Sequence, residues 1–188
     1  RDLEEVKKRI DELLKRVRET TKRVEDELRR SNKELHESSR RVEEEIKKLL
    51  EELEDVFRKV KDGDRERVKE LADRIVEEVK KIVDEDVERL ERVVDENRKI
   101  VDTDRRDLDR VVEEVTRIVE ELKRRLKDKE ELVRTLEDML RRAREEIEKL
   151  KEKTRKLLED SERDVKRLIE RTTEVLKRAR ERVEELKK

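Results

Sequence analysis

The chain has no cysteine, proline, tryptophan or tyrosine, and it has a single glycine among its 188 residues. Without proline, and with one glycine, it cannot form a fold that needs many tight turns, nor a glycine-rich phosphate-binding loop. Without cysteine it has no disulfides, thiolate metal sites or cysteine nucleophiles. Its one phenylalanine cannot provide the aromatic platform on which nucleic-acid bases stack.

An excess of charge of one sign is also missing, because 57 basic residues balance 58 acidic ones. A balanced charge gives no electrostatic attraction to nucleic acid or to an anionic membrane. No apolar run reaches the roughly 18 residues that a membrane span needs, and no apolar stretch after a basic start indicates a signal peptide. We therefore expect neither nucleic acid nor a membrane as a partner.

Charged residues are abundant, at 61% of the chain, and 30% of the residues are hydrophobic. Such a composition is typical of a disordered chain or of long amphipathic helices, and periodicity separates the two. The apolar or small residues recur every three or four positions, which keeps them on one helix face as a stripe. The first stripe consists of Leu3, Val6, Ile10, Leu13, Val17, Thr21, Val24, Leu28, Ser31, Leu35, Ser38, Val42, Ile46, Leu49, Leu53, Val56 and Val60.

Two more stripes of the same kind follow, and short segments without the pattern separate the three. In the first separating segment, Gly63 can adopt the left-handed conformation that often ends a helix, and Asp64 can cap the next helix. In the second, Asp128 and Glu131 resemble a capping box. The sequence therefore predicts one domain, 1–188, with helices at about 2–61, 65–127 and 129–187.

The fold class predicted by these stripes is all-α: a single-chain, up-down-up antiparallel three-helix bundle. Adjacent apolar residues such as Val93 and Val94 widen the stripes, as expected for helices that each pack against two others. At 1.5 Å per residue, each helix would be about 85 Å long. The mean apolar spacing of about 3.6 residues lies between the values for left- and right-handed supercoils, so we expect very long, nearly straight helices.

An alternative segmentation divides the chain into about six shorter helices, since Asp, Ser, Thr and Asn side chains can begin a new helix. Its turns would lie at 31–32, 102–104 and 160–161. The stripes keep their phase through all three places, and none of the three contains glycine or proline. We therefore favour uninterrupted helices.

Polar residues interrupt the stripes at levels that match between helices. In an up-down-up bundle, residue i of the first helix faces about 127−i of the second and about i+130 of the third. A layer shared by three helices can satisfy polar groups that would each cost about 1–3 kcal/mol if buried alone, and it penalises shifted registers. The alternative role is a ligand cavity. The candidate layers are Ser31, Asn97 and Ser161; Thr21, Thr103, Asp104 and Thr154; and Ser38, Asp86 and Thr172, with Ser39 and Thr173 next to the last.

No arrangement of residues typical of catalysis or metal binding is present. His36 is the only histidine, and in a chain without cysteine it lacks the further donors that a zinc site needs. The many carboxylates lie beside Lys or Arg on solvated faces, where nothing desolvates them for acid–base chemistry. We expect no enzyme activity, no catalytic residues, no cofactor and no bound metal.

Together these features resemble de novo designed helical bundles of the parametric, hydrogen-bond-network type. The resemblance rests on near-equal helix lengths, Val/Leu/Ile layers, aligned Ser/Thr/Asn layers and a surface of Glu, Asp, Lys and Arg. It implies a thermostable structural scaffold with no evolved activity. We expect a monomer that requires no partner. The alternatives are a homo-oligomer, or a caged or hetero-oligomeric interaction module with a partly exposed apolar groove for a partner helix.

Overall fold

Three long α-helices make up almost all of residues 2–188, the part of the chain that this computed structural model describes. They are α1 (Asp2–Lys59), α2 (Arg65–Arg125) and α3 (Glu130–Lys187), and a short 3-10 turn, Asp62–Asp64, precedes α2. No strand occurs within 2–188. The helices form because strong helix formers fill the polar face while one apolar stripe is buried. The prediction of an all-α three-helix bundle is confirmed.

Each helix runs without a break through the places where the alternative segmentation put turns. Ser31 lies inside α1, the 102–104 segment inside α2 and Ser161 inside α3. Backbone hydrogen bonding continues there because the polar residues keep the helical phase of the stripe. Three long helices, rather than six short ones, are therefore confirmed.

The turn between α1 and α2 differs from the sequence expectation. Gly63 lies in the 3-10 turn and its φ is not positive, so the left-handed helix end predicted at Gly63 is wrong. The chain leaves α1 through Lys61 instead, which is extended with φ −82° and ψ 150°. The Asp64 N–H then donates to the Lys61 carbonyl at 2.9 Å, closing a turn that any L-residue can form.

The turn between α2 and α3 starts the third helix one residue later than the capping box predicts. The Val133 N–H donates to the Lys129 carbonyl at 3.1 Å, which makes Lys129 the residue at the N-cap position. A capping box needs its acidic or hydroxyl side chain at that position. The box predicted for Asp128 and Glu131 is therefore wrong.

Ion pairs between the helices define their register. Helix α2 runs antiparallel to α1, since Arg9 pairs with Glu114 at 2.9 Å and Arg16 pairs with Asp107 at 3.5 Å. Helices α1 and α3 are parallel, and the offset between paired residues is 128 positions, close to the expected 130. The α1–α3 pairs with this offset are Arg18–Glu146, Glu43–Arg171 and Glu54–Arg182.

The chain divides into two compact units, and every helix contributes to both. Unit 1 comprises Arg1–Arg29 and Glu96–Asp160, and unit 2 comprises Arg30–Asp95 and Ser161–Lys188. The single domain and the near-straight helices expected from the sequence stay predictions. Within residues 2–188, no helix has an apolar stretch that could span a bilayer.

The core of each unit consists of separate apolar clusters. Unit 1 has a large cluster, whose fully buried members include Val17 and Leu108, and a small cluster around Leu28. Unit 2 has three clusters, one around Leu90, one around Ile46 and one that includes Leu53. Each fully buried aliphatic side chain contributes about 1.5–3 kcal/mol to folding. Polar side chains separate the two clusters of unit 1, and in unit 2 they separate the cluster around Leu90 from the cluster around Ile46. The cluster around Ile46 and the cluster that includes Leu53 are joined by Leu50 and Ile75, which pack against both.

Candidate functional site

Each unit contains one buried layer of polar side chains, with one residue from each helix. The unit 1 layer consists of Thr21, Asp104 and Thr154, and the unit 2 layer of Ser39, Asp86 and Thr172. All six side chains are buried. In both layers α2 supplies the aspartate, while α1 and α3 supply hydroxyl groups.

The unit 1 layer lies between the large and small apolar clusters of that unit. Three or four residues before and after each polar residue, the same helix contributes a cluster member. These members are Val17 and Val24 on α1, Val101 and Leu108 on α2, and Leu150 and Leu157 on α3. Because both flanking levels are apolar, the polar groups of the layer have only one another and their own helix backbones as partners.

Only one hydrogen bond between helices is made within the unit 1 layer. The Thr21 hydroxyl donates to Asp104 Oδ2 at 3.0 Å. The Thr154 hydroxyl points back to its own helix and lies 3.1 Å from the Lys151 carbonyl and 3.4 Å from the Leu150 carbonyl. Asp104 Oδ1 is buried without a hydrogen-bond partner.

The carboxyl group of Asp104 is electrostatically unfavourable when it is ionised. Its residue is only 3% exposed, and this burial raises the pKa of the carboxyl group above its ordinary value. The hydrogen bond from Thr21 lowers the pKa in part, whereas the negative charges of Asp107 and Glu25 raise it. Burial is the largest of these effects, so the net pKa shift is upward.

The unit 2 layer is more fully hydrogen-bonded. Ser39 and Thr172 both donate to Asp86 Oδ2, each at 3.3 Å, which joins all three helices through one oxygen atom. Asp86 Oδ1 is paired with the guanidinium group of Arg89, one turn further along α2. Both carboxylate oxygens of this buried residue therefore have partners.

Two of the residues predicted for these layers lie outside them. Thr103 is exposed, and its hydroxyl donates to the Lys99 carbonyl of its own helix at 2.9 Å. Ser38 is half-buried, and its neighbour Ser39 takes the place in the layer. Consecutive residues are about 100° apart around a helix, so only one of two neighbours can face the layer.

The third predicted layer is distributed over the two units. Asn97 belongs to unit 1, whereas Ser31 and Ser161 belong to unit 2. Asn97 and Ser161 are buried and Ser31 is half-buried. Asn97 Nδ2 and Ser161 Oγ have no hydrogen-bond partner. The layer proposed for these three residues stays a prediction.

Sequence reasoning missed two contributions to the polar contacts of unit 2. Arg89 follows Asp86 by three residues, a spacing at which helix neighbours of opposite charge interact, so the signal was present. Asn32 Nδ2 donates to Asp164 Oδ2 at 3.1 Å, and His36 Nε2 lies 3.5 Å from the same oxygen. No sequence motif marks this α1–α3 contact.

A small cavity lies beside the unit 2 layer. Its volume is about 120 Å³, and its walls include Ser39, Thr172, His36 and Arg40. Both hydroxyl hydrogens are donated to Asp86, so towards the cavity these oxygens can only accept. Among residues 2–188, no three His, Asp or Glu side chains are grouped to hold a metal ion.

Comparisons with known proteins bear on the fold. No protein-family model and no curated protein matches the chain. A solved structure described as a computationally designed three helix bundle matches with a TM-score of 0.50 and 18% sequence identity. The match covers 98% of this chain and 91% of that one. The chain is thus similar in fold to a computationally designed three-helix bundle.

Proposed function

We propose that the chain is a designed structural scaffold without catalytic activity, and that its polar layers select the register of the helices. The observation that carries this proposal is the unit 2 layer, in which hydroxyl groups from α1 and α3 meet on one aspartate oxygen of α2. The fold similarity to a designed bundle supports the scaffold role. So does a surface on which charged residues face one another in ion pairs between helices.

Apolar stripes alone discriminate weakly between registers. A shift of one helix by seven residues places Val, Leu and Ile against other Val, Leu and Ile side chains, at little cost in buried area. A shift of α2 moves Asp86 away from Ser39 and Thr172, whereas Arg89, on the same helix, stays paired with Asp86. The two buried hydroxyl groups then lose their shared acceptor, and each buried polar group left without a partner costs about 1–3 kcal/mol, so the shifted register becomes rare.

Spin-label distances test the role in register selection. The chain has no cysteine, so Lys47→Cys on α1 and Lys80→Cys on α2, both exposed in unit 2, accept one label each. We expect one narrow distance distribution in the parent protein. In the apolar variant Ser39→Ala, Asp86→Leu, Thr172→Val we expect an additional population, displaced along the helix axis by about 10 Å for a shift of seven residues.

A matched control uses the same kinds of substitution next to the layer. Ser38→Ala with Thr173→Val changes a half-buried and an exposed residue and should keep the single distance. Thermal unfolding should show the apolar variant to be as stable as the parent or more so, because apolar replacement of a whole buried polar group is often stabilising. A single unchanged distance in the apolar variant would contradict the role in register selection.

We further propose that the scaffold is a monomer that needs no partner. Among the described residues, two large apolar side chains are exposed, Val56 at 39% and Leu71 at 38%. Two such side chains provide too little apolar surface for a groove that binds a partner helix. Light scattering across a concentration series should give a constant mass near 23.1 kDa. A mass that rises with concentration would instead favour the interaction module or the homo-oligomer.

A further inference from the structure

Each polar layer has one aspartate and two hydroxyl side chains, but the hydrogen bonding of the two layers differs. In unit 2, the aspartate accepts from both hydroxyl groups and from Arg89. In unit 1, Asp104 accepts from Thr21 alone, and its Oδ1 atom has no partner although the residue is almost fully buried. A buried carboxylate oxygen without a donor is unfavourable, so the unit 1 layer is incomplete with an ionised aspartate.

We propose that Asp104 is a proton-binding site of the folded protein. Its Oδ1 atom takes up a proton from water, and the resulting neutral carboxylic acid donates a hydrogen bond to the Thr154 hydroxyl oxygen. The Thr21 bond to Oδ2 is kept, so the protonated layer joins all three helices as the unit 2 layer does. Hydrogen bonds then join all three helices in both layers, through a carboxylate at Asp86 and through a carboxylic acid at Asp104.

Thr154 lies at the level of Asp104 and has oxygen lone pairs that can accept a hydrogen bond. It is buried at the level of Asp104, since both residues lie between the same two apolar clusters. Its hydrogen is donated to carbonyl groups of its own helix. Its oxygen lone pairs therefore remain available, and a hydroxyl oxygen with an occupied hydrogen can still accept.

The charges around the layer do not compensate an ionised Asp104. Glu25 on α1 and Asp107 on α2 both add negative charge. On α1, the cations nearest in register, Lys22 and Arg23, are exposed, and Arg16 is paired with Asp107 at 3.5 Å. On α3, the Lys151 ammonium group is paired with two other carboxylates. Asp104 therefore lacks a cation of the kind that Arg89 provides for Asp86.

Protonation of Asp104 links folding to pH in a defined direction. Burial raises the pKa of Asp104 in the folded state, so the folded chain binds this proton more tightly than the unfolded chain does. Above the folded pKa, the whole free-energy cost of burying the ionised Asp104 carboxylate opposes folding. This cost decreases as the pH falls from the folded pKa towards the pKa of Asp104 in the unfolded chain. Lowering the pH through the folded pKa of Asp104 therefore stabilises unit 1 through this residue.

Carboxyl ¹³C NMR titration tests the proposal directly. The Asp104 resonance is assigned by its loss in Asp104→Asn, and the same carboxyl group in the urea-unfolded chain serves as the reference. We expect Asp104 to titrate at a higher pH in the folded protein than in the unfolded chain. We also expect its folded midpoint to move to lower pH in Thr154→Val, because that variant lacks the acceptor for the acid proton. Equal midpoints in the folded and unfolded chains, or no change in Thr154→Val, would overturn the proposal.

Urea unfolding of the same variants provides a second readout. An asparagine NH₂ group can donate where the acid proton would, so Asp104→Asn should unfold at a higher urea concentration than the parent at pH 8. This difference should shrink as the pH is lowered from 8 towards the ordinary aspartate pKa, because the parent then gains its own proton. A parent that is the more stable protein at pH 8, or a difference independent of pH, would refute the assignment. Neither result would affect the register role proposed for the unit 2 layer.

Discussion

Asp86→Ala is the substitution that should destabilise the protein most through its polar contacts. Asp86 is 1% exposed and accepts hydrogen bonds from Ser39 and Thr172. The alanine variant leaves both hydroxyl groups in an apolar level of the core without their shared acceptor. It also removes the carboxylate that is paired with Arg89.

The loss of unfolding free energy in Asp86→Ala depends on the hydrogen-bond partners that remain for Ser39, Thr172 and Arg89. A buried polar group left without a partner costs about 1–3 kcal/mol, and there are two such hydroxyl groups. Each can turn to a carbonyl of its own helix, as Thr154 does, which places its cost at the lower end. The Arg89 side chain is 40% exposed and can regain water, so its contribution is small. We expect a total loss of about 2–4 kcal/mol.

Chemical unfolding followed by circular dichroism at 222 nm measures this loss. Asp84→Ala, on the exposed face of the same helix, is the matched control and should be neutral or stabilising by up to about 0.7 kcal/mol, because alanine is the better helix former. A double-mutant cycle with Ser39→Ala should give a coupling of about 0.5–1.5 kcal/mol. Equal effects of the two alanine variants, or a coupling of zero, would refute the hydrogen-bond network at Asp86.

Two further predictions concern the first turn and the surface. Gly63→Ala should stabilise the protein by about 0.4–1 kcal/mol in the same unfolding assay. The reason is that Gly63 has no positive φ and that an added Cβ meets nothing within 4 Å. A destabilised variant would show that the turn needs glycine. Hydrogen bonds from Arg18 lower the pKa of Glu146. The pair therefore stabilises the fold at any pH above the ordinary glutamate pKa, and this stabilisation is lost as the pH falls through the lowered pKa. The stability difference between the parent and Arg18→Gln should therefore shrink in acid; a difference that is constant from pH 7 to pH 2 would contradict this.

The helices were predictable from sequence because the information for them is local. Spacings of three and four residues determine which face is apolar, and strong helix formers occupy the remaining positions. The segments 31–32, 102–104 and 160–161 stayed helical for the same reason, since polar residues in phase with the stripe do not interrupt backbone hydrogen bonding.

The turns were predicted less well. Gly63 was expected to be left-handed and Asp128 to cap α3, but the structure uses an extended Lys61 and places Lys129 at the N-cap position. Several different short connections can provide hydrogen-bond partners for the free backbone N–H and C=O groups at the ends of the same two helices. The choice among them depends on where the packed helices bring the chain ends, which a local motif does not encode.

Periodicity and two short connections are enough to define the helices and their order, and they place Thr21 near the level of Asp104 and Thr172 near the level of Asp86. Packing between the helices selects which of two neighbours faces inward: Asp104 instead of Thr103, and Ser39 instead of Ser38. It also decides where each hydroxyl donates: Thr172 bonds the aspartate of another helix, whereas Thr154 bonds its own backbone. A threonine in a helix can always reach its own carbonyl groups. Whether it does so depends on the distance and charge of groups on other helices, which only packing brings together.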